Sequence, residues 1–204
     1  GAADNTFDLS QWGNGARAVV DGLGGDDTFI GLDVNSDWTI TSVNGGRVGD
    51  FNFSNIENLV GGSADDDFIF NGGLVEGSVD GGAGGVNSLT VGNTDNSWVI
   101  ERVAGGMVRL GTVVTDPELT FDNLQEIDGG TGVDSFVFAG GTIAAVNGGT
   151  GEDTVTGDDL ANIWNVRDVN GDFSAADEGD LTSPLGTTIF SGIENLIGGD
   201  VVDT

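Results

Sequence analysis

The chain has no cysteine, no histidine, no tyrosine and no lysine, and each absence closes a route to chemistry. Without cysteine there is no disulfide, no thiolate metal site and no thiol nucleophile. Without histidine, lysine or tyrosine, the commonest general bases and most covalent nucleophiles are missing too. Carboxylate pairs can still hydrolyse glycosidic bonds, and some β-helical proteins cut acidic polysaccharides with aspartate clusters. Such sites also need cations to hold an acidic sugar, and five scattered arginines (Arg17, Arg47, Arg102, Arg109, Arg167) make a poor clamp. An enzyme is not expected.

Positive charge is scarce throughout. Thirty-four acidic residues stand against those five arginines, for a formal net charge of −29. A nucleic acid or an anionic membrane surface needs cations from its partner, so neither suits this chain. Inorganic cations suit it better. No run approaches the roughly 18 apolar residues of a membrane span, so membrane insertion is not expected. No signal peptide is visible and the only methionine is Met107, so the sequence reads as a piece of something longer. Proline is nearly absent at 2 residues while glycine reaches 38, which argues against collagen or a proline-rich linker.

What the chain does have is repetition. SNIENLVGG at 54–62 returns as SGIENLIGG at 191–199, and DNLQEIDGG at 122–130 is a looser copy between them. Ile56, Leu124 and Ile193 hold equivalent places, 68 and 69 residues apart. Three units follow, 1–60, 61–128 and 129–197, with 198–204 beginning a further one. Each opens with a phrase such as ADNTFDL (3–9), DDDFIF (65–70) or VDSFVF (133–138). Each then carries a glycine-rich turn and a tryptophan phrase (DWTI 37–40, SWVI 97–100, IWNV 163–166). A period of this length marks a repeat architecture.

Within the second unit, Gly-Gly pairs at 61–62, 81–82, 105–106 and 129–130 are 20, 24 and 24 residues apart. Short runs between them alternate apolar and polar residues, which is the strand signature, and nothing sustains a helical period. The chain is expected to be all-β. The even spacing predicts a right-handed parallel β-helix, a β-solenoid of about three coils per 68-residue repeat, with a β-sandwich as the alternative. The expected inward stripe is Ile56, Phe68, Phe70, Leu89, Val91, Trp98, Ile100, Leu119, Phe121 and Ile193. Trp38, Trp98 and Trp164 recur at matching places, which suits a packed core. Exposed, they would instead form an aromatic platform for sugars. Trp12 falls outside the pattern.

GGTGVDSFV (129–137) and GGTGEDTVT (148–156) both fit the nonapeptide G-G-x-G-x-D-x-U-x, and GLGGDDTFI (22–30), GGSADDDFI (61–69) and GGAGGVNSL (81–89) are looser copies. This resembles the calcium-binding repeats of haemolysin-type (RTX-like) secreted bacterial proteins. In that family the turn aspartate and backbone carbonyls hold Ca²⁺ between stacked turns. The family sets its nonapeptides in tandem, whereas here they stand apart. The whole unit, with GG-x-G-x-D, the tryptophan phrase and F-x-x-IENL-x-GG, resembles the repeat arrays of giant surface proteins and adhesins of Gram-negative bacteria, the filamentous-haemagglutinin-like class. The resemblance implies an exported, extracellular β-helical shaft on the cell surface. Its partners would be neighbouring repeats of the same chain, and glycans or another cell surface. A glycan- or ligand-binding module on a solenoid face is the alternative function.

Calcium is the one candidate cofactor. If the paired turns stack one coil apart, Asn5 lies on Asp27, Asp66 on Asn87, and Asp134 on Asp153. The last pair sets two carboxylates on adjacent turns, with the carbonyls of 129–131 and 148–150 available to complete an oxygen shell. Asp168, Asn170 and Asp172 follow D-x-N-x-D spacing in a second acidic loop, but Phe173 and Gly179 stand where an EF-hand loop wants glycine and a bidentate glutamate. The candidate metal ligands are thus Asp134, Asp153, Asp27, Asp66, Asp168, Asn170 and Asp172.

Overall fold

The structure, a computed structural model, describes residues 3–12, 17–111, 117–167 and 178–204. Among these residues there is no helix, and the strands sort into two mixed sheets. The chain is all-β, as its alternation predicts. It divides into two compact units, Gly1–Val91 with Leu119–Leu124, and Gly92–Glu118 with Gln125–Thr204.

In the first unit, β1 (Thr6–Asp8), β3 (Thr28–Ile30), β7 (Asn58–Val60), β9 (Ser78–Asp80) and β13 (Glu118–Asp122) run parallel. Their register aligns Phe7, Phe29, Leu59, Val79 and Phe121 in one column. The other sheet contains β2 (Ala18–Asp21), β4 (Ser36–Ser42), β5 (Gly45–Val48), β6 (Phe51–Ser54), β8 (Asp66–Phe70) and β10 (Ser88–Thr90). There Trp38, Phe68 and Leu89 align. Phe29 meets Trp38 and Phe53 edge-on at 5.4 and 5.6 Å, so the two sheets close on a shared apolar layer. Many strands are three residues long with one buried side chain between two half-buried ones. So short a strand buries too little to stand alone, and only stacking on its neighbours makes a core.

Apart from the excursions, the chain crosses from one sheet to the other at every step. Plainly linked parallel partners are 19 to 22 residues apart, as in Phe136 to Val155, Leu59 to Val79, Phe68 to Leu89 and Phe7 to Phe29. Where the tryptophan phrase intervenes the step lengthens, to 30 from Phe29 to Leu59 and to 42 from Val79 to Phe121. The extra residues form an antiparallel excursion, β4 to β5 to β6, with Trp38 opposite Val48. This corrects the even coil expected from Gly-Gly spacing. Gly105–Gly106 and their counterparts Gly45–Gly46 open the return strand of a hairpin and do not turn a coil corner. The repeat 61–128 accordingly holds five segments: β8, β9, β10, the excursion β11 (Asn96–Arg102) to β12 (Gly105–Leu110) to β13, and β14 (Glu126–Asp128).

The second unit repeats the scheme. There β11, β15 (Ser135–Phe138), β17 (Thr154–Thr156) and β21 (Asn195–Ile197) run parallel and align Trp98, Phe136, Val155 and Leu196. In the other sheet β14, β16 (Ala145–Asn147) and β20 (Gly186–Ser191) align Ile127, Val146 and Phe190. Next to β20 lie β19 (Glu178–Ser183) and then β18 (Ile163–Arg167), both antiparallel to their neighbours.

All ten residues of the expected inward stripe are buried, none more than 3% exposed. Trp38 and Trp98 are fully buried and stack on Phe68 and Phe136 at 5.3 and 5.7 Å, which makes them core and leaves no sugar platform there. Trp164 is half-buried and Trp12 is exposed. The recurring phrase marks a corner. Its second residue takes the left-handed conformation in all three copies, with φ of 54° at Asn55, 55° at Asn123 and 59° at Gly192. Asparagine and glycine are the residues that tolerate it. The next residue, Ile56, Leu124 or Ile193, then plugs the core.

Candidate functional site

The chemistry of this chain gathers at its stacked turns. In each G-G-x-x-x-D turn the aspartate side chain folds back over the first glycine. A Cβ at Gly22, Gly61, Gly129 or Gly148 would collide with Oδ2 of Asp27, Asp66, Asp134 or Asp153 respectively. At Gly22, Gly61 and Gly148 a Cβ would meet a backbone carbonyl of another turn more closely still, so crowding from both is why the motif opens on glycine. The folded-back carboxylates of these four aspartates are completely buried.

Burial brings each Oδ1 or Oε to a backbone N–H of the preceding turn. In the first unit the N–H of Asn5 donates to Oδ1 of Asp27 at 2.8 Å, and the N–H of Asp27 donates to Oε2 of Glu57 at 2.8 Å. In parallel, the N–H of Asp66 donates to Oδ1 of Asn87 at 2.9 Å. In the second unit the ladder is longer. Asn96 donates to Asp134 at 2.7 Å, Asp134 to Asp153 at 2.7 Å, and Asp153 to Oε2 of Glu194 at 2.7 Å. The residue before each rung reaches the opposite way: Oδ1 of Asp4, Asp65 and Asp95 accepts from the N–H of Asp26, Val86 and Val133 on the following turn. Adjacent acidic or amide residues thus clamp a turn from both sides. Each such bond to a carboxylate is of the stronger, charge-assisted kind.

The second oxygen of these carboxylates is treated unequally. Oδ2 of Asp66 accepts from the N–H of Gly62 at 2.8 Å, and its Oδ1 from Nε1 of Trp38 at 3.3 Å. Oδ2 of Asp27, Asp134 and Asp153 is buried with no hydrogen-bond partner. Dry surroundings disfavour the charged form. Burial pushes Asp134 up to about 7, with the charge of Asp153 adding to the effect, and Asp66 up to about 6. Burial raises Asp153 as well, helped by Glu194.

No protein-family model and no curated protein matches the chain. The site therefore has to be judged on its own atoms. The structure brings together the three pairs the repeat predicts, Asn5 with Asp27, Asp66 with Asn87, and Asp134 with Asp153. Asp168, Asn170 and Asp172 lie outside the described residues. For calcium, the unpartnered Oδ2 atoms of Asp134 and Asp153 are suitable ligands. Three of the six carbonyls expected to complete the shell already accept a hydrogen bond: Gly130 O from Thr150 N–H at 3.0 Å, Thr150 O from Gly132 N–H at 2.9 Å, and Gly129 O from Nδ2 of Asn96 at 3.3 Å. Among the described residues no group of three or more acidic side chains could hold a metal ion.

Sequence reasoning missed the glutamates. Glu57 and Glu194 in the IENL phrase close the ladders, and Glu57 also accepts from Nδ2 of Asn44 at 2.8 Å. Their recurrence one residue after the buried isoleucine was the available signal. Replacing Glu57 by alanine leaves the Asp27 amide without its acceptor and takes from Asn44 one of its two carboxylate partners, Glu76 remaining, and is expected to destabilise the fold by about 1–3 kcal/mol. Glutamine, which keeps one acceptor oxygen, should recover most of the loss in urea denaturation.

Proposed function

We propose that this chain is a structural shaft segment of a large exported bacterial surface protein, built as a right-handed parallel β-solenoid. The observation that carries the reading is where the acidic residues are spent. The aspartates and glutamates that recur with the repeat accept backbone N–H groups of neighbouring turns, so they hold one pass upon the next and repeat because the passes repeat. A β-sandwich gives no reason for a side chain to meet its own repeat-equivalent one pass away, and its strands need not alternate between sheets in parallel register. Wherever the shaft reading holds, the apolar columns and the amide-to-carboxylate ladders serve rigidity and spacing. Screening this chain against a glycan array, with and without calcium, is expected to give no binding. Robust recognition of a sugar would overturn the shaft reading in favour of a ligand-binding module.

Calcium enters the reading at one place, the unpartnered Oδ2 atoms of Asp134 and Asp153. Calorimetric titration of the wild type should show binding below millimolar calcium that the Asp134→Asn, Asp153→Asn double variant loses. No binding, or equal binding by the variant, removes the ion and leaves the shaft reading standing.

A further inference from the structure

Asparagine followed by glycine is a chemically fragile pair. The glycine nitrogen, once hydroxide has taken its proton, can attack the asparagine Cγ, and no Cβ on the glycine hinders the approach. Five such pairs occur, at Asn14, Asn44, Asn71, Asn147 and Asn170, and the first and last lie outside the described residues. The other three share nearly one local sequence, VNGG at 43–46, FNGG at 70–73 and VNGG at 146–149. The fold treats them differently.

Two are locked. Asn44 is 7% exposed, and its Nδ2 donates to Oε1 of Glu57 at 2.8 Å and to Oε2 of Glu76 at 2.9 Å. Its Oδ1 accepts from the N–H of Glu76 at 2.9 Å, so turning Cγ towards the Gly45 nitrogen breaks three bonds. At Asn147 the side chain is held through Nδ2 to Oδ2 of Asp128 at 2.8 Å. The attacking nitrogen is held too, because the Gly148 N–H donates to Ser191 O at 2.9 Å. The same lock closes the aspartyl-glycyl bonds: the N–H groups of Gly22, Gly81 and Gly129 donate to Ser54, Asp122 and Asn147 O at 3.0, 2.9 and 2.9 Å.

Asn71 is open. It and Gly72 are exposed, and among the described residues neither the Asn71 side chain nor the Gly72 N–H has a hydrogen-bond partner. A Cβ on Gly72 would meet nothing within 4 Å, so water and the side chain both reach that nitrogen. The turn does not require asparagine, since Ala139–Gly140–Gly141 forms it in the next repeat. Asn71 and Ala139 donate to Ile40 O and Ile100 O at 2.8 Å, and Gly72 and Gly140 take φ of 76° and 90°.

We propose that Asn71 is a site of self-modification, converted to isoaspartate and aspartate by the nitrogen of Gly72. The nitrogen forms a bond to Cγ, ammonia leaves, and a cyclic imide remains. Water then opens the ring: cleavage at the side-chain carbonyl gives aspartate, and cleavage at the main-chain carbonyl gives isoaspartate. No oxidant or reductant is needed. The isoaspartate adds a negative charge and routes the main chain through Cβ, one atom longer. The turn has little slack for that atom, because a Cβ on Gly73 would lie 2.5 Å from Ser42 N, and the bridge from Leu74 to Val43 follows at once. The proposal goes beyond the shaft reading and rests on this turn alone.

The test is peptide mapping by mass spectrometry after incubating the folded chain at mildly alkaline pH, with isoaspartate and aspartate products separated. Asn71 should convert at least about tenfold faster than Asn44 or Asn147, whose reaction waits on local opening. In denaturant the three should convert at similar rates, since their sequences nearly match. Asn71→Ala should remove the early acidic product and leave urea denaturation unchanged, as Ala139 already holds the equivalent place. Conversion of Asn44 or Asn147 as fast as Asn71 in the folded chain would overturn the proposal. So would the same preference for Asn71 in denaturant, which would assign it to sequence, or a folded Asn71 that keeps its amide while the denatured one loses it.

Discussion

Replacing Trp98 by alanine is expected to lower the free energy of unfolding by about 3–5 kcal/mol, the range for truncating a large buried aromatic. Trp98 is fully buried, stacks on Phe136, and faces Val108 across its hairpin, so three strands lose packing at once. Neighbours fixed in paired strands on both sides have little freedom to collapse into the space. The internal control is Trp164→Ala. It is the same residue in the same phrase, half-buried and only tilted against Phe190 at 6.2 Å, and its loss should cost less than half as much. Urea denaturation of both variants checks the pair. Equal losses would show that the aligned columns do not dominate stability.

The second large effect is with pH, and its direction is unusual. An unfolded aspartate titrates near 3.9, whereas folded Asp134 holds its proton up to about 7 and Asp66 up to about 6. Between those values the folded chain binds more protons than the unfolded one, so stability falls as pH rises. In the presence of a chelator the stability these two groups contribute should be full below about pH 4 and lost progressively up to about pH 7. Acid also relieves repulsion among 34 carboxylates, which acts in the same direction. Asp153→Asn separates the two causes. Its repeat-equivalent is already an asparagine: Asn87 accepts the Asp66 amide through Oδ1 and donates Nδ2 to the carbonyls of Gly84 and Asn123 at 3.0 and 3.1 Å. The substitution should therefore stabilise the chain at pH 8, flatten the pH profile, and give little near pH 4. A variant weaker than wild type at both pH values would show that the buried charge is not the cause.

Much of this was legible in the sequence because two periods overlap in it. Alternation by two named the buried faces of Phe68 and Phe70, or Leu89 and Val91, before any pairing was known. The long repeat then named which turns lie on which, and so placed Asp134 against Asp153. The excursions were not legible, because glycine pairs look the same whether they turn a corner or start the return strand of a hairpin. Gly105–Gly106 was misread for that reason. Trp164 was assigned to the core by its likeness to Trp38 and Trp98. Burial depends on the neighbour across the edge, which a residue's own phrase does not contain. Glu57 and Glu194 were passed over because a charged residue beside a buried isoleucine normally reads as solvent-facing.

The ladders also change which parts of the chain are guarded from solvent. In most folds the amides of connecting turns exchange with water freely while strand amides are held back. Here the amides of Asn96 and Asp134 point into the buried carboxylates of Asp134 and Asp153, and that of Asp153 into the part-buried carboxylate of Glu194. The local negative charge also repels the hydroxide that catalyses exchange. Proteases and deuterium therefore meet the corners as the closed part of the molecule. The hairpin tips, where Val43 and Val103 stand exposed, are the open part.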